Sequence, residues 1–427
     1  MKKKFIKYVS FNILSNIGMS CYILADTLFI ANGVGLNGLT ALNIVLPVYN
    51  LIFAVGLLLG IGGATEFSIL RAQKNNKKAS LYYTHAIIIG LLFSVFIMIP
   101  GFTNAKEIVT LLGADNDIIS IAVTYLKSFI LFTPFFIIQQ IIVTFVRNDN
   151  NPKLASLAIL TGTTFNIIFD YIFVFPMNLG MMGAALATGC SPIIALIICS
   201  LHFIQKKNNF HFIKNRLSFR YLKQIFKIGL PSFITELSSG IIIYAFNLII
   251  LSISGNIAVA SYGILSNLAI VVSGLYNGIS QGIQPLLSQS FGLKSNEEIK
   301  SYLKMAIITS LVISIIVLLS TILYPYTIVS WFNSENSQLM TDIAVHALPI
   351  YFFAFFFIGI NMILVSYFSS ITLVKPSSII SILRSGIILI PLVVIFAKVY
   401  GLIGVWISYP VSECIIMFLG LLLLKMD

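Results

Sequence analysis

An all-α membrane protein with twelve transmembrane helices in two six-helix lobes is the fold this sequence predicts, and three observations predict it. Of 427 residues, 58% are hydrophobic and 9% charged, whereas a soluble domain carries roughly a quarter charged residues. Apolar runs long enough to cross the ~30 Å hydrocarbon layer recur twelve times. The two halves of the chain also echo each other at an offset of about 220 residues.

The first six runs lie at about 8–33, 41–70, 80–101, 118–147, 153–175 and 180–205. The other six lie at about 222–252, 257–292, 299–324, 339–371, 376–398 and 401–425. The longest polar gap, QKKNNFHFIKNRLSFRYLKQIFK from Gln205, falls near the middle of the chain. The expected organisation is therefore an N-terminal lobe (1–205), a cytoplasmic linker (206–221) and a C-terminal lobe (222–427). Threading the chain with its N-terminus inside leaves only Lys106, Lys127 and Lys398, of 26 Lys and Arg, outside the cytoplasm. The positive-inside rule thus puts both ends in the cytoplasm, as expected of a multi-pass plasma-membrane protein.

Three segment pairs carry the echo. NNKKASLYYTHAI from Asn75 answers SNEEIKSYLKMAI from Ser295; VTLLGADND from Val109 answers VSWFNSENS from Val329; NLGMMGAALAT from Asn178 answers VYGLIGVWISY from Val399. Each half holds an even number of spans, so both have the same orientation, related by a pseudo-two-fold axis along the membrane normal. In such architectures the substrate path runs between the halves.

Several classes are disfavoured. The net charge of +12 is scattered through short gaps instead of covering one soluble face, so nucleic acid is not an expected partner. Cys21, Cys190, Cys199 and Cys414 lie in apolar runs without paired or histidine-flanked spacing, and read as small core residues. The MKKK start is followed by no cleavage site, so the first span is expected to stay attached. There is no GxxxxGK[ST] loop, and none of His85, His202, His211 and His346 has an acid or serine at a catalytic spacing. An enzyme is not expected, nor a cofactor.

The acids inside apolar runs carry the functional argument. A carboxylate at the centre of a spanning helix costs ~2.5 kcal/mol or more, so it marks a functional site by default. Asp170 sits in TGTTFNIIFDYIFVF with Asn166 four residues earlier, on the same helical face. Tyr22 and Asp26 repeat that geometry in the first run. Both acids fall at similar depth in the outer half of their spans, where they can form one site for a proton or a small cation. Close carboxylates resist being charged together, and their oxygens equally suit a hard cation such as sodium.

The run ADTLFIANGVGLNGLTALNI, the loop VRNDNNPKLAS, the run FNIIFDYIFVFPMNLGMMGAALAT and the segment GISQGIQPLLSQSFG together resemble the multidrug and toxic compound extrusion (MATE) family, over essentially the whole chain. The resemblance implies a secondary antiporter, with two lobes around a cavity, expelling cationic or amphiphilic drugs and other toxic compounds in exchange for inward H+ or Na+. It implies that Asp26 and Asp170 carry the coupling ion, with Asn166, Thr188 and Tyr22 at the matching spacings. Some family members bend the first helix at a proline. Residues 8–33 contain none and Gly18 is the only soft point, so that mechanism is not expected here. A second cation site on the tenth helix would have only Asp342 to use.

Further cavity candidates are Glu236, Gln139, Gln140, Gln281, Gln284 and Glu413. For each, interhelical hydrogen bonding or a structural pair competes with a transport role. Glu66, five residues before Arg71 and close to the cytoplasmic surface, is expected to snorkel or pair locally. The alternative reading, a lipid-linked glycan flippase of the wider superfamily, needs several cavity bases for a pyrophosphate; only Arg384 lies near a span interior. Expected partners are small organic cations or amphiphiles and the bilayer, with a monomer as the working unit.

Overall fold

The computed structural model describes residues 1–214, 216–332 and 337–425. Part of the echoing segment VSWFNSENS, together with Asn215 and the last two residues, lies outside the described residues. The first half comprises α1 (Lys2–Gly33), α2 (Leu36–Ala72), α3 (Asn76–Thr103), α4 (Ala105–Leu111), α5 (Ile119–Ile130), α6 (Thr133–Asn148), α7 (Pro152–Val174) and α8 (Gly180–Ile204). The second comprises α9 (Phe219–Gly292), α10 (Asn296–Leu323), α11 (Pro325–Ser330), α12 (Gln338–Phe353), α13 (Phe355–Ser370), α14 (Val374–Ile382), a π-helical turn (Leu383–Ile387) and α15 (Leu389–Lys425).

Among the described residues, nine stretches are long and apolar enough to cross a membrane, and α5 with α6, bent by 49°, make a tenth. Two of the nine hold two spans each. At ~1.5 Å per residue the 74 residues of α9 far exceed a bilayer, and the chain turns back at Gly255, whose φ of 72° only glycine adopts cheaply. Gly401 (φ 59°) breaks α15 in the same way. The total is twelve; Gly255 falls in the predicted gap 253–256, and Gly401 is the first residue after the predicted gap 399–400.

The duplication is visible in the element bounds. Helix α3 starts at Asn76 and ends at Thr103, α10 starts at Asn296 and ends at Leu323, and a short helix follows each. Two hydrophobic cores result. One gathers residues from Ile30 to Ile225, including Phe67, Phe129 and Phe145. The other gathers Tyr262, Tyr276, Phe352 and Trp406 with Phe5, Tyr8 and Val9 from the start of α1. Thus α1 sends its first turns into the second core, and α9 sends Ile225 into the first.

That exchange is sealed by glycines. A Cβ on Gly62 of α2 would stand 2.1 Å from the Ile225 carbonyl oxygen, and one on Gly229 of α9 would stand 2.0 Å from that of Leu58. The symmetry-related contact is α1 against the second span of α9, where a Cβ on Gly278 would stand 2.5 Å from Ile13 Cα and one on Gly282 would stand 2.8 Å from Val9 Cα. Backbones can approach this closely only without side chains between them, the small-residue packing typical of membrane helices. All these contacts lie toward the membrane face that holds the chain ends. Further along α9 the packing opens: Gly240 meets only Asn50 Nδ2 at 3.4 Å and Gly263 meets nothing within 4 Å. The halves are closed at one face and part toward the other.

Two expectations change. Cys199 is buried but Cys21 is exposed on the helix surface, because α1 presents that face to lipid. Gly18 is a packing glycine in an unbroken α1, with Leu160 Cδ2 2.7 Å from where its Cβ would be.

Candidate functional site

Helices α1, α7 and α8 bring the predicted acid site together. Asp170 and Asn166 are fully buried, and Asp26, Tyr22 and Thr188 are buried to within 7%. The carboxyls of Asp26 and Asp170 lie next to each other. Two carboxylates at such a distance repel unless a proton or a cation lies between them. With its amide oriented to satisfy both ends, Asn166 donates to Asp170 Oδ2 (3.2 Å) and accepts from the Thr188 backbone N–H (3.2 Å). This ties the middle of α7 to α8. Asp26 Oδ1, Asp170 Oδ1 and Thr188 Oγ1 are buried without a hydrogen bond of good geometry, so the cluster keeps unspent oxygen acceptors where native proteins normally leave few.

Tyr22 turns its hydroxyl not to Asp26 but to Tyr49 of α2, at 2.7 Å. The pair lines a small cavity with Met19, Phe53, Gln139 and Thr163, beside the acids, so Gln139 joins the site's surroundings. Tyr49, and Tyr125, whose phenol faces Thr188, are neighbours that sequence reasoning missed. A single tyrosine in an apolar run gives no signal of which way it points.

The remaining candidates go elsewhere. Glu236 is half-buried on α9 near Tyr49 of α2; its carbonyl accepts from Ser239 Oγ at 2.8 Å, and its carboxylate has no hydrogen bond or ion pair among the described residues. Gln281 is half-buried and accepts from Asn16 Nδ2 at 3.5 Å. Gln140 is buried against Gly56, where an added Cβ would meet its own Cβ at 2.8 Å; it packs α6 on α2, apart from the small cavity that Gln139 lines. Glu413 is committed to Arg384, whose Nε donates to both carboxylate oxygens at 3.1 Å, and to Asn361 Nδ2 at 2.7 Å. A buried charge with these partners is a structural tie between α13, the π-helical turn and α15. Asp342 is exposed. Glu66 accepts from Gln224 Nε2 of α9 at 2.8 Å, a partner from the other half.

Gln284 belongs to a second cluster that sequence reasoning missed, at the closed face. It donates to Thr65 Oγ1 (2.9 Å) and accepts from Asn148 Nδ2 (2.8 Å), while Asn148 Oδ1 accepts from Ser68 Oγ (2.7 Å). Next to it Asn150 Oδ1 accepts from Gln289 Nε2 at 3.0 Å and from the Tyr8 hydroxyl at 3.2 Å. The adjacent Asp149, with a fully buried side chain, accepts from Arg71, from His202 Nε2 (2.9 Å) and from Asn209 N and Nδ2 (2.7 and 3.0 Å). The loop VRNDNN thus holds both halves and the connecting segment. No group of three or more metal-ligating side chains occurs among the described residues.

The MatE family model matches residues 12–172 and 231–395, most of both halves. The chain belongs to the MatE family. It is accordingly a membrane transporter and not an enzyme. It is 26% identical over 379 residues to the multidrug export protein MepA of Staphylococcus saprophyticus, covering 88% of this chain and 83% of that one. It is also 26% identical over 377 residues to the MepA of Staphylococcus aureus MRSA252, covering 88% and 82%. Among solved structures, an outward-facing MATE transporter of the MOP superfamily superposes with a TM-score of 0.93 at 22% identity, covering 100% of this chain and 95% of that one. A MATE protein in complex with MaL6 gives 0.94, also at 22% identity, covering 100% and 96%. These structures share the twelve-helix, two-lobe fold.

Proposed function

We propose that this chain exports multiple drugs of cationic or amphiphilic character across the plasma membrane in exchange for inward H+ or Na+, with both termini in the cytoplasm. The observation that carries the coupling is the contact between Asp26 and Asp170, with unsatisfied oxygens on both and on Thr188. Such a site has much to gain from a proton or a sodium ion and is costly when empty and doubly charged. The named relatives support multidrug compounds as cargo. A lipid-pyrophosphate cargo is disfavoured, because Arg384 is already bound to Glu413.

In the proposed cycle the lobes 1–205 and 222–427, joined by 206–221, rock against each other. An ion entering from outside takes the acid pair, substrate leaves from the gap between the lobes, and the lobes close outward and open inward. The ion must favour one state over the other, since a ligand without differential affinity shifts no equilibrium. Glu236, facing that gap, attracts a cationic substrate.

The test is dye export from proteoliposomes holding the purified protein, under proton and sodium gradients imposed separately. Export driven by one of them supports the reading and identifies the ion. Export under neither removes the antiport.

The hydrogen bonds at Gln284 are read as the cytoplasmic gate. Replacing Gln284 with Leu removes the acceptor of one Asn148 N–H and the donor to Thr65 Oγ1 in a buried setting, at about 1–3 kcal/mol against the closed gate. Cysteines placed at exposed ends of α2 and α9 near this face should then label faster from the cytoplasmic side. Unchanged labelling would remove Gln284 from the gate.

A further inference from the structure

We propose that the segment 206–227, with the adjoining start of α3, is a docking surface for anionic phospholipid head groups. The segment carries Lys206, Lys207, Lys214, Arg216, Arg220, Lys223 and Lys227 and no acid, and all seven are exposed. Interleaved with them, Phe212, Leu217 and Phe219 are exposed by 58, 45 and 78%. Helix α8 ends at Ile204 and α9 begins at Phe219. The segment therefore runs along the ends of two spans, at the depth of the head groups, where bases with apolar side chains between them bind anionic lipid.

The segment is also anchored at Asn209, Phe210, Ile213 and Ser218. Phe210 is fully buried among Phe67, Tyr83 and Phe145. Asn209 N donates to Asp149, Ile213 N to Thr84 Oγ1 (3.0 Å) and Ser218 N to His85 Nε2 (3.1 Å). A tether needs no such fixing. Here it holds the apolar and basic side chains outward in one arrangement, so little ordering entropy is lost on binding. The crossing at Thr84 and His85 brings the segment alongside the first turns of α3, where Lys77 and Lys78 are exposed.

Topology alone does not account for this charge. The duplication supplies an internal control, because α10 begins as α3 does, 220 residues later, at the same membrane face. Where α3 has Lys77 and Lys78, α10 has Glu297 and Glu298. On the first half, Asp149 is buried in its own bonds with Arg71, His202 and Asn209, and the segment itself holds no acid. Only one half has the patch, although the positive-inside rule acts on both.

The test uses the full chain in phosphatidylcholine vesicles and measures the association of spin-labelled phosphatidylglycerol relative to spin-labelled phosphatidylcholine. The expected result is preferential association of phosphatidylglycerol that declines with added salt. It should decline again in a variant carrying K206Q, K207Q, K214Q and K223Q, each charge being worth up to about fivefold. A control with K294Q, K300Q and K304Q on the other half should keep the preference. Absence of preference in the unmodified chain, or equal loss in both variants, would overturn the proposal. The salt series needs no variant, so altered folding cannot imitate the result. The assay needs no transport either, so its failure and a failure of the exporter reading are told apart.

Discussion

Asp170→Asn should reduce gradient-driven dye export to the rate of protein-free vesicles while leaving the purified protein folded. The asparagine is isosteric and its carbonyl can still accept from Asn166, whose other end holds the Thr188 N–H, so the stability change should stay within about 1 kcal/mol. What disappears is the second carboxylate. With only Asp26 charged, the repulsion that favours a bound proton or sodium ion is gone, and the ion no longer discriminates between transporter states. Asp26→Asn should act alike from the other side of the contact. The measurement is dye export under each gradient beside thermal unfolding of the same preparation. Normal coupling in both variants would make the pair structural. The ion site would then move to Glu236, which has no side-chain partner among the described residues, and not to Glu413, which is held by Arg384 and Asn361.

Much of this site was legible in the sequence because its signals are local and expensive. An acid in an apolar run stands out by cost, and a polar group four residues away shares its face, so Asp170 with Asn166 could be read directly. That Asp26 meets Asp170 followed from matching depth in two separate runs. The partners of Tyr22 and Glu66 could not be read that way. Tyr49 and Gln224 come from other helices, and nothing in one sequence says which helices are neighbours. The glutamines show the same limit. Gln139 and Gln140 are adjacent, yet one lines the cavity beside the acids and the other is sealed against Gly56, because adjacent helical residues point about 100° apart. The twelve spans were legible because the breaks at Gly255 and Gly401 fall in or beside the short gaps between apolar runs. The glycines that bring α2 and α9 together were silent, since a glycine does not announce what approaches it.

Asp149→Ala should be the most destabilising of the single substitutions considered, lowering stability by about 3 kcal/mol or more. Breaking a buried pair by removing one partner costs ~3–5 kcal/mol, and the lower end applies because Arg71 keeps 22% of its side chain exposed and can turn toward water. The loss goes beyond the ion pair. His202 Nδ1 faces Asn151 Nδ2 at 3.2 Å, a donor, so the network assigns Nδ1 as acceptor and Nε2–H as donor to Asp149. Without the carboxylate that N–H is stranded in a buried site, whereas Asn209 is exposed and its Nδ2 keeps the Lys207 carbonyl at 3.2 Å. Cys199, fully buried on the same helix as His202, reports the opening: a thiol-reactive dye should label it at a lower temperature in the variant. Asn209 also anchors the segment between the lobes to Asp149, so the variant should lose phosphatidylglycerol preference together with stability. Asp149→Asn separates the two effects. It retains one acceptor for Arg71 or for His202 but not the charge, and so should recover part of the thermal loss. A variant as stable as the unmodified chain would show that Arg71, His202 and Asn209 find other partners, and that the loop does not hold the closed face together.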